Sequence, residues 1–129
     1  MPGTPGHELD AVVRDALTVG DVESAVIFVV APDAGTLELA AAAGIEGPAL
    51  EGLVSAVRNP AHPIVRALAD DRPTFDVLPM NPGGPRLRSH LPLAVDGTTT
   101  GVLAVAHQSP TDDDQRRRLV ALADRASAR

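Results

Sequence analysis

The chain has 129 residues, a formal net charge of −6, no cysteine and only two aromatic residues, Phe28 and Phe75. This length predicts one domain with a sizeable core, which must be built from small aliphatic side chains. The acidic charge argues against nucleic acid as a partner, and the lack of cysteine excludes disulfides, thiolate metal sites and cofactors attached through sulfur.

The first third of the sequence predicts a helix followed by two paired strands. Apolar residues recur at helical spacing from Leu9 to Leu17, and Gly20 suits the end of that helix. The β-branched run Ser24–Ala31 is apolar at successive positions, which predicts a central strand. After a turn, Leu37–Gly44 predicts a second strand that pairs with the first, although its four alanines are poor strand formers.

Two short helices are predicted next. Pro48 suits the first turn of a helix whose apolar stripe ends before Asn59. His62 and Pro63 begin a shorter helix that ends near Asp71.

An edge strand, a long loop and a second hairpin follow. The run 74–77 comes directly after a proline, which is typical of an edge strand. Beyond a loop rich in proline and glycine, residues alternate in character from Arg86 to Val95, which predicts a strand. The Asp-Gly pair at 96–97 predicts a tight turn into a return strand that ends at His107.

The C-terminal segment predicts a last helix. Thr111 and Asp114 have the spacing of a capping box, and three consecutive aspartates suit the positive end of the helix dipole. The predicted order is helix, hairpin, two helices, edge strand, long loop, hairpin and helix. This order predicts an α+β domain with an antiparallel sheet and helices on both faces.

The chain resembles a GAF domain, a small-molecule-sensing domain related to PAS domains. The likeness is carried by ESAVIFVVAPDAGTLELAAAAG (23–44) and RSHLPLAVDGTTTGVLAVAH (88–107). The resemblance implies a single domain over residues 1–129, with a core of about 8–126. It also implies a sheet of about five strands in the order 2-1-5-4-3. Terminal helices would cover one face, and two short helices with the long loop would cover the other.

The resemblance also implies where a ligand and a partner subunit would bind. Ligands of the family lie between the sheet and the segment that corresponds to Pro48–Pro85 here. Terminal helices of the family commonly form dimers, which would place an interface on the first and last helices at Leu9, Val12, Val13, Leu119 and Leu122. Members that bind bilins or reduce free methionine sulfoxide depend on cysteines. This chain has none, which leaves non-covalent binding or no binding.

Candidate ligand-binding residues lie in and around the long loop. Arg86, Arg88 and His90 fall on one face of the strand that leaves the loop. If this face lines a cavity, the guanidinium groups could hold a carboxylate or a phosphate. The same alternation is also typical of residues that point to solvent, or that belong to an interface.

The other ligand-binding candidates are His62, Asp76, Met80 and Asn81. His62 could instead cap its helix, Asp76 could face water or pair with an arginine, and Met80 could fill the core. The four histidines lack the spacing of a metal site, and no nucleophile elbow or phosphate loop occurs in the sequence. We therefore expect no metal, no cofactor and no enzymatic activity.

The expected function is that of a stand-alone sensory domain. It would bind a small, mostly non-aromatic effector and signal through a homodimer to a signalling protein partner. The alternative is a ligand-free dimerisation or protein-interaction module, similar to a roadblock domain or a degenerate GAF domain. We expect a soluble cytoplasmic protein that contacts neither nucleic acid nor membrane, because no signal peptide or spanning segment is evident.

Overall fold

The computed structural model describes residues 5–31, 36–78 and 87–127. The chain forms one five-stranded antiparallel sheet with the strand order β2-β1-β5-β4-β3, together with four helices. This architecture confirms the predicted fold class and strand order. The elements are α1 (Pro5–Ala16), β1 (Ser24–Val30), β2 (Leu37–Ala43), α2 (Gly47–Ala56), α3 (Pro63–Asp70), β3 (Thr74–Val77), β4 (Leu87–Val95), β5 (Thr98–His107) and α4 (Asp113–Ser127).

The two terminal helices cover one face of the sheet, which we call the terminal-helix face. α1 packs against β1 and β2, α4 packs against β4, and the two helices contact each other. Inward side chains of neighbouring strands meet on this face, as Ile27, Leu103 and Leu91 do across β1, β5 and β4. The small side chains of Ala40, Ala41 and Ala43 belong to the same cluster. The alanine run therefore lies where α1 packs against β2.

Five residues expected at a dimer interface lie inside this core instead. Their side chains are at most 8% exposed and pack within the chain itself, between the terminal helices and the sheet. A second chain would meet the outer faces of α1 and α4, so this part of the prediction is corrected for all five. They are Leu9, Val12, Val13, Leu119 and Leu122.

The middle helices α2 and α3 cover the opposite face, which we call the middle-helix face. α3 packs against β4 and β5. The core of this face is one aliphatic cluster around Phe28, which is fully buried. Its other buried members are Val26, Leu53, Val57, Ile64, Ala67, Val102 and Ala104.

The turn between β4 and β5 follows from its sequence. Asp96 and Gly97 both have positive φ values, 52° and 80°, and they join the paired residues Val95 and Thr98. Positive φ at both central residues is the geometry of a type I′ turn, whose twist matches that of the two strands. The Asp-Gly pair thus sets the register of this hairpin.

The start of α4 differs from the predicted capping box. Asp112 and Gln115 form the reciprocal pair: each backbone N–H donates to the side-chain oxygen of the other, at 2.9 and 2.8 Å. Thr111, the predicted cap, makes its contacts with β3 instead. The three-residue spacing occurs at both 111–114 and 112–115, so the sequence alone did not choose between them.

Candidate functional site

Arg88 and His90 lie on the middle-helix face of β4. His90 is paired with Ala104 and Arg88 with Ala106, and Ala104 belongs to the cluster beneath α2 and α3. His90 is only 1% exposed and Arg88 is half-buried. The alternation left open whether these side chains point to solvent or into the molecule. In the structure, Arg88 and His90 point toward the middle helices and not toward solvent.

His62 caps α3 and is buried on the same side of the molecule. Its Nδ1 accepts a hydrogen bond from the backbone N–H of Ile64 at 3.1 Å, and the residue is 8% exposed. Because Nδ1 is the acceptor, the neutral imidazole must carry its proton on Nε2. The capping role that the sequence left open for His62 is thus observed, and its Nε2–H group remains available as a hydrogen-bond donor.

His90 has one satisfied ring nitrogen and one without a partner. Its Nδ1 lies 3.3 Å from Oγ1 of Thr74, on the neighbouring edge strand. Its Nε2 is buried and has no hydrogen-bond partner in the described part of the chain. A buried polar atom of this kind costs about 1–3 kcal/mol, so such atoms are few in folded proteins and commonly have a function.

The charge of Arg88 influences both histidines. Burial lowers the pKa of His90 to about 4, and the electrostatic interaction of His90 with Arg88 acts in the same direction. Burial also lowers the pKa of His62, with Arg88 again contributing, and burial lowers the pKa of Arg88 itself. Among the ion pairs of residues 5–31, 36–78 and 87–127, none involves Arg88. The cluster is therefore a partly desolvated cation beside two neutral imidazoles, an environment that favours an anion.

An open aliphatic groove lies elsewhere on the middle-helix face. It has a volume of about 630 Å³ and runs between the edge strand β2 and the helices α2 and α3. Arg58 and Glu38 are its charged lining residues, and both are exposed. Its aliphatic lining consists of Leu37, Leu39, Val54, Val57, Val65 and Leu68.

A small cavity of about 20 Å³ lies nearer the middle of the sheet, between Leu53 of α2, Ile45 and the strands, and Arg88 forms part of its wall. The groove was not predicted from the sequence. Its signal there was the run Leu37-Glu38-Leu39 at the start of β2, because this alternation places two leucines on one face of the edge strand.

Asp76 lies on the terminal-helix side and does not join the cluster around Arg88. Its φ is 59°, and the pairing of β3 with β4 shifts register between Thr74 and Val77. The carboxylate accepts hydrogen bonds from the Thr111 N–H and from Arg116, both at 2.9 Å. Pairing with an arginine is thus the interpretation that holds for Asp76, and its prediction as a ligand-binding residue is corrected.

The hydrogen bonds around Asp76 stabilise its charged form. Burial alone would raise the pKa of this carboxyl group. The bonds from Thr111 and Arg116, together with the positive charge of Arg116, outweigh burial and lower the pKa from the usual 3.8. The guanidinium of Arg116 also lies 4.8 Å from the ring centroid of Phe75, so β3 and α4 are joined by a charge pair and a cation–π contact.

A buried Ser–His pair lies beside Asp76. Ser89 Oγ and His107 Nε2 are 2.9 Å apart, and Nδ1 of His107 donates to the carbonyl of Ser109 at 2.8 Å. The backbone N–H of Asp76 donates to Ser89 Oγ at 3.3 Å. Ser89 and His107 are at most 1% exposed, and the histidine is oriented by a backbone carbonyl. These contacts join β3, β4 and β5.

Three of the seven ligand-binding candidates interact electrostatically on the middle-helix side of the sheet: His62, Arg88 and His90. Met80, Asn81 and Arg86 lie outside the described residues. Thr74, which bonds His90, was not among the candidates; its position opposite His90 became known only from the strand pairing. Within the described ranges there is no group of three metal-binding side chains, and no helix is long and apolar enough to cross a membrane.

No family model and no curated protein matches this sequence. Solved structures do match its fold. The GAF-B domain of DevS from Mycobacterium smegmatis is 25% identical and has a TM-score of 0.72; the match covers 96% of this chain and 90% of that one.

Two further structures extend the comparison. The GAF domain of a phosphoenolpyruvate-protein phosphotransferase from Coxiella burnetii is 15% identical, with a TM-score of 0.76 and coverage of 99% and 82%. A type II free methionine-R-sulfoxide reductase from Thermoplasma acidophilum is 12% identical, with a TM-score of 0.76 and coverage of 95% and 89%. Sheet order, helix placement and these matches agree: the fold of this chain is that of a GAF domain.

Proposed function

We propose that this domain is a sensory module that binds a small anionic molecule non-covalently at Arg88, His62 and His90. The observation that carries the proposal is the buried Nε2 of His90, which lacks a hydrogen-bond partner in the described structure while Arg88 makes no ion pair there. A carboxylate or phosphate would accept hydrogen bonds from Arg88 and the imidazoles at once. The likeness to GAF domains supports a sensory role.

The surroundings favour a small aliphatic acid. None of the residues that line the small cavity beneath Leu53, of which Arg88 is one, is aromatic, so a nucleotide base would find no ring to stack on there. The aliphatic lining suits a short hydrocarbon chain.

Binding should depend on pH in a defined direction. An anion beside Arg88 stabilises the protonated form of any nearby imidazole, so the pKa of His90 and of His62 should rise in the complex. Binding then takes up protons, and affinity should increase as the pH falls from 7.5 toward 5.5. A site without these histidines would show no such dependence in this range.

The experiment is a calorimetric and thermal-shift titration with acetate, butyrate, hexanoate, succinate and inorganic phosphate. Butyramide serves as the uncharged control. A bound anion stabilises the folded state by mass action, by about 2.7 kcal/mol at one hundred times its Kd. Arg88→Gln should abolish the stabilisation, whereas Arg66→Gln, an exposed arginine on α3, should leave it intact. Equal responses of both variants would contradict the proposal.

A ligand-free interaction module is the second candidate. The observation that favours it is the aliphatic packing on the middle-helix face, where Leu53, Val57 and Phe28 belong to one buried cluster. If none of the probes stabilises the wild-type domain, this candidate replaces the first.

We also propose that the domain forms a homodimer through the outer faces of α1 and α4. The likeness to GAF domains supports this, and Val120 is an exposed large aliphatic residue on α4. Val120→Glu should then shift a sedimentation profile from dimer to monomer without loss of helix content. By contrast, Leu9→Glu would place a charge in the core and unfold the chain. A wild-type protein that sediments as a monomer contradicts this proposal.

A further inference from the structure

We infer that the edge strand β3 couples the Arg88–His62–His90 site to helix α4, and that Asp76 is the positioning residue of this coupling. The inference rests on the proposed function, because it assigns a route by which occupation of that site would reach a terminal helix. It is carried by contacts that one four-residue strand makes with opposite sides of the sheet.

The first contact is on the ligand side. Thr74 is paired with His90, and its Oγ1 lies 3.3 Å from His90 Nδ1. A neutral imidazole has one donor and one acceptor nitrogen, so the two ring contacts depend on each other. While the imidazole stays neutral, an anion that accepts from Nε2–H makes Nδ1 the acceptor, and the Thr74 hydroxyl must then donate to it. The state of the site thereby determines the polarity of the bond to β3.

The second contact is on the α4 side, two residues further along the strand. The Asp76 carboxylate accepts from the Thr111 backbone N–H at 2.9 Å and from the Arg116 guanidinium at 2.9 Å. Arg116 Nε in turn donates to Thr111 Oγ1 at 2.9 Å. Asp76 therefore holds both Thr111, two residues before α4, and Arg116 in the first turn of this helix.

The backbone of β3 explains how Thr74 and Asp76, two residues apart, make contacts on opposite faces of the sheet. The register shift between Thr74 and Val77 and the positive φ of Asp76 turn the Asp76 side chain toward α4 while Thr74 stays beside His90. β3 is an edge strand of four residues, paired only with β4 in the described sheet. A short edge strand moves at lower cost than the inner strands, because fewer ladder hydrogen bonds restrain it.

The test begins at the site and requires no ligand. Thr74→Val removes the hydroxyl with little change in shape, whereas Thr74→Ser retains it. In ¹H–¹⁵N spectra of the 13.3 kDa chain, the backbone N–H of Thr111 and the side-chain Nε–H of Arg116 report on the contact with Asp76. We expect Thr74→Val to shift both resonances, and Thr74→Ser to leave both close to their wild-type positions.

A second set of variants asks whether Asp76 carries the effect. Asp76→Gly removes the carboxylate and accepts the positive φ without strain. In that background, Thr74→Val should no longer shift the Arg116 Nε–H resonance. Thr18→Val is the matched control, because Thr18 also lies near α4 and donates a side-chain hydrogen bond, but to the Asp15 carbonyl and not to β3. Melting temperatures recorded for every variant separate coupling from general loss of stability.

Two results overturn the inference. One is that Thr74→Val shifts Thr111 and Arg116 no more than Thr74→Ser or Thr18→Val does. The other is that the shift persists undiminished with Asp76→Gly. Failure of the proposed function appears separately, as the absence of binding in titrations with the carboxylates and phosphate. If butyrate binds, the same resonances should respond to butyrate in the wild type and lose that response, but not the binding, in Asp76→Gly.

Discussion

Ser89 and His107 form a buried hydrogen bond across β4 and β5, with Oγ and Nε2 2.9 Å apart. The other ring nitrogen of His107 donates to the Ser109 carbonyl, so the serine hydroxyl must be the donor to Nε2. The backbone N–H of Asp76 completes the chain by donating to the serine oxygen. Among the described residues, Ser89 Oγ and both ring nitrogens of His107 thus have hydrogen-bond partners within the protein.

Removal of the serine hydroxyl should leave a buried acceptor without a partner. We expect Ser89→Ala to lower the free energy of unfolding by about 1–3 kcal/mol, as measured by urea denaturation. Thr18→Val, which removes an exposed hydrogen bond at the end of α1, should cost less than about 0.5 kcal/mol. Similar effects for the two variants would contradict the account of the buried pair.

His90 should make the stability of the domain depend on pH. Its pKa in the folded state is about 4, below the ordinary 6.5, so the unfolded chain binds the additional proton between these values. Stability should therefore be fully present above pH 6.5 and decrease as the pH falls toward 4. The expected loss attributable to His90 at pH 5 is about 2 kcal/mol.

Urea denaturation at pH 7.5 and pH 5 tests this dependence. His90→Gln should remove the larger part of the loss, and a smaller part should remain because the pKa of His62 is lowered as well. If His90→Gln retains the whole pH dependence of the free energy of unfolding, protonation of His90 is not the cause of that dependence.

Arg88 should destabilise the empty site. Its guanidinium is half-buried and takes part in no ion pair of the described residues, and a desolvated charge without a partner is costly. In buffer free of the probe anions, we expect Arg88→Met to raise the free energy of unfolding by about 1 kcal/mol. Arg66→Met, at an exposed position on α3, should change it little.

Arg88→Met should also change the pKa of His90. Removal of the positive charge of Arg88 should raise the pKa of His90 above about 4, although burial should keep it below 6.5. A titration of the imidazole ¹H resonances checks the direction. An unchanged pKa would mean that Arg88 does not act on His90.

Gly101 should tolerate no side chain. A methyl group there would collide with the carbonyl oxygen of Phe28, a backbone atom of the adjacent inner strand. Gly101→Ala should therefore lower the free energy of unfolding by about 2 kcal/mol or more. Gly52→Ala is the control, because its methyl group would meet open space on α2 and should stabilise the helix by about 0.5–1 kcal/mol.

The contact between β3 and α4 should weaken in acid. The pKa of Asp76 is lowered from 3.8 in the folded state. The contribution of its carboxylate to the free energy of unfolding is therefore present above pH 3.8 and is lost as the pH falls below that value. Asp76→Asn should cost about 2 kcal/mol at pH 7, the magnitude of hydrogen bonds to a charged group. Because Asn also tolerates the positive φ, the difference from wild type reports mainly on the charge. The difference in free energy of unfolding between wild type and Asp76→Asn should shrink below pH 3.8. A difference that is constant with pH would contradict a contribution from the charge of Asp76.

The local elements followed from the sequence because they depend on neighbouring residues. Helical spacing from Leu9, the proline at position 48 and the Asp-Gly pair at 96–97 act over a few residues, and each element was found where it was expected. The resemblance supplied the strand order. It implied a ligand beneath the middle helices, and the alternation along β4 placed Arg88 and His90 together on one face.

The order of residues thus suffices to predict the set of elements, their amphipathic faces and the exclusion of chemistry that requires cysteine. Which face of β4 meets which helices depends on packing in three dimensions, because helices cover both sides of this sheet and alternation distinguishes the faces without assigning them. The role of Asp76 depends on tertiary structure as well. A register shift and a positive φ redirect that side chain toward α4, and these features arise from pairing between strands rather than from any local run of residues.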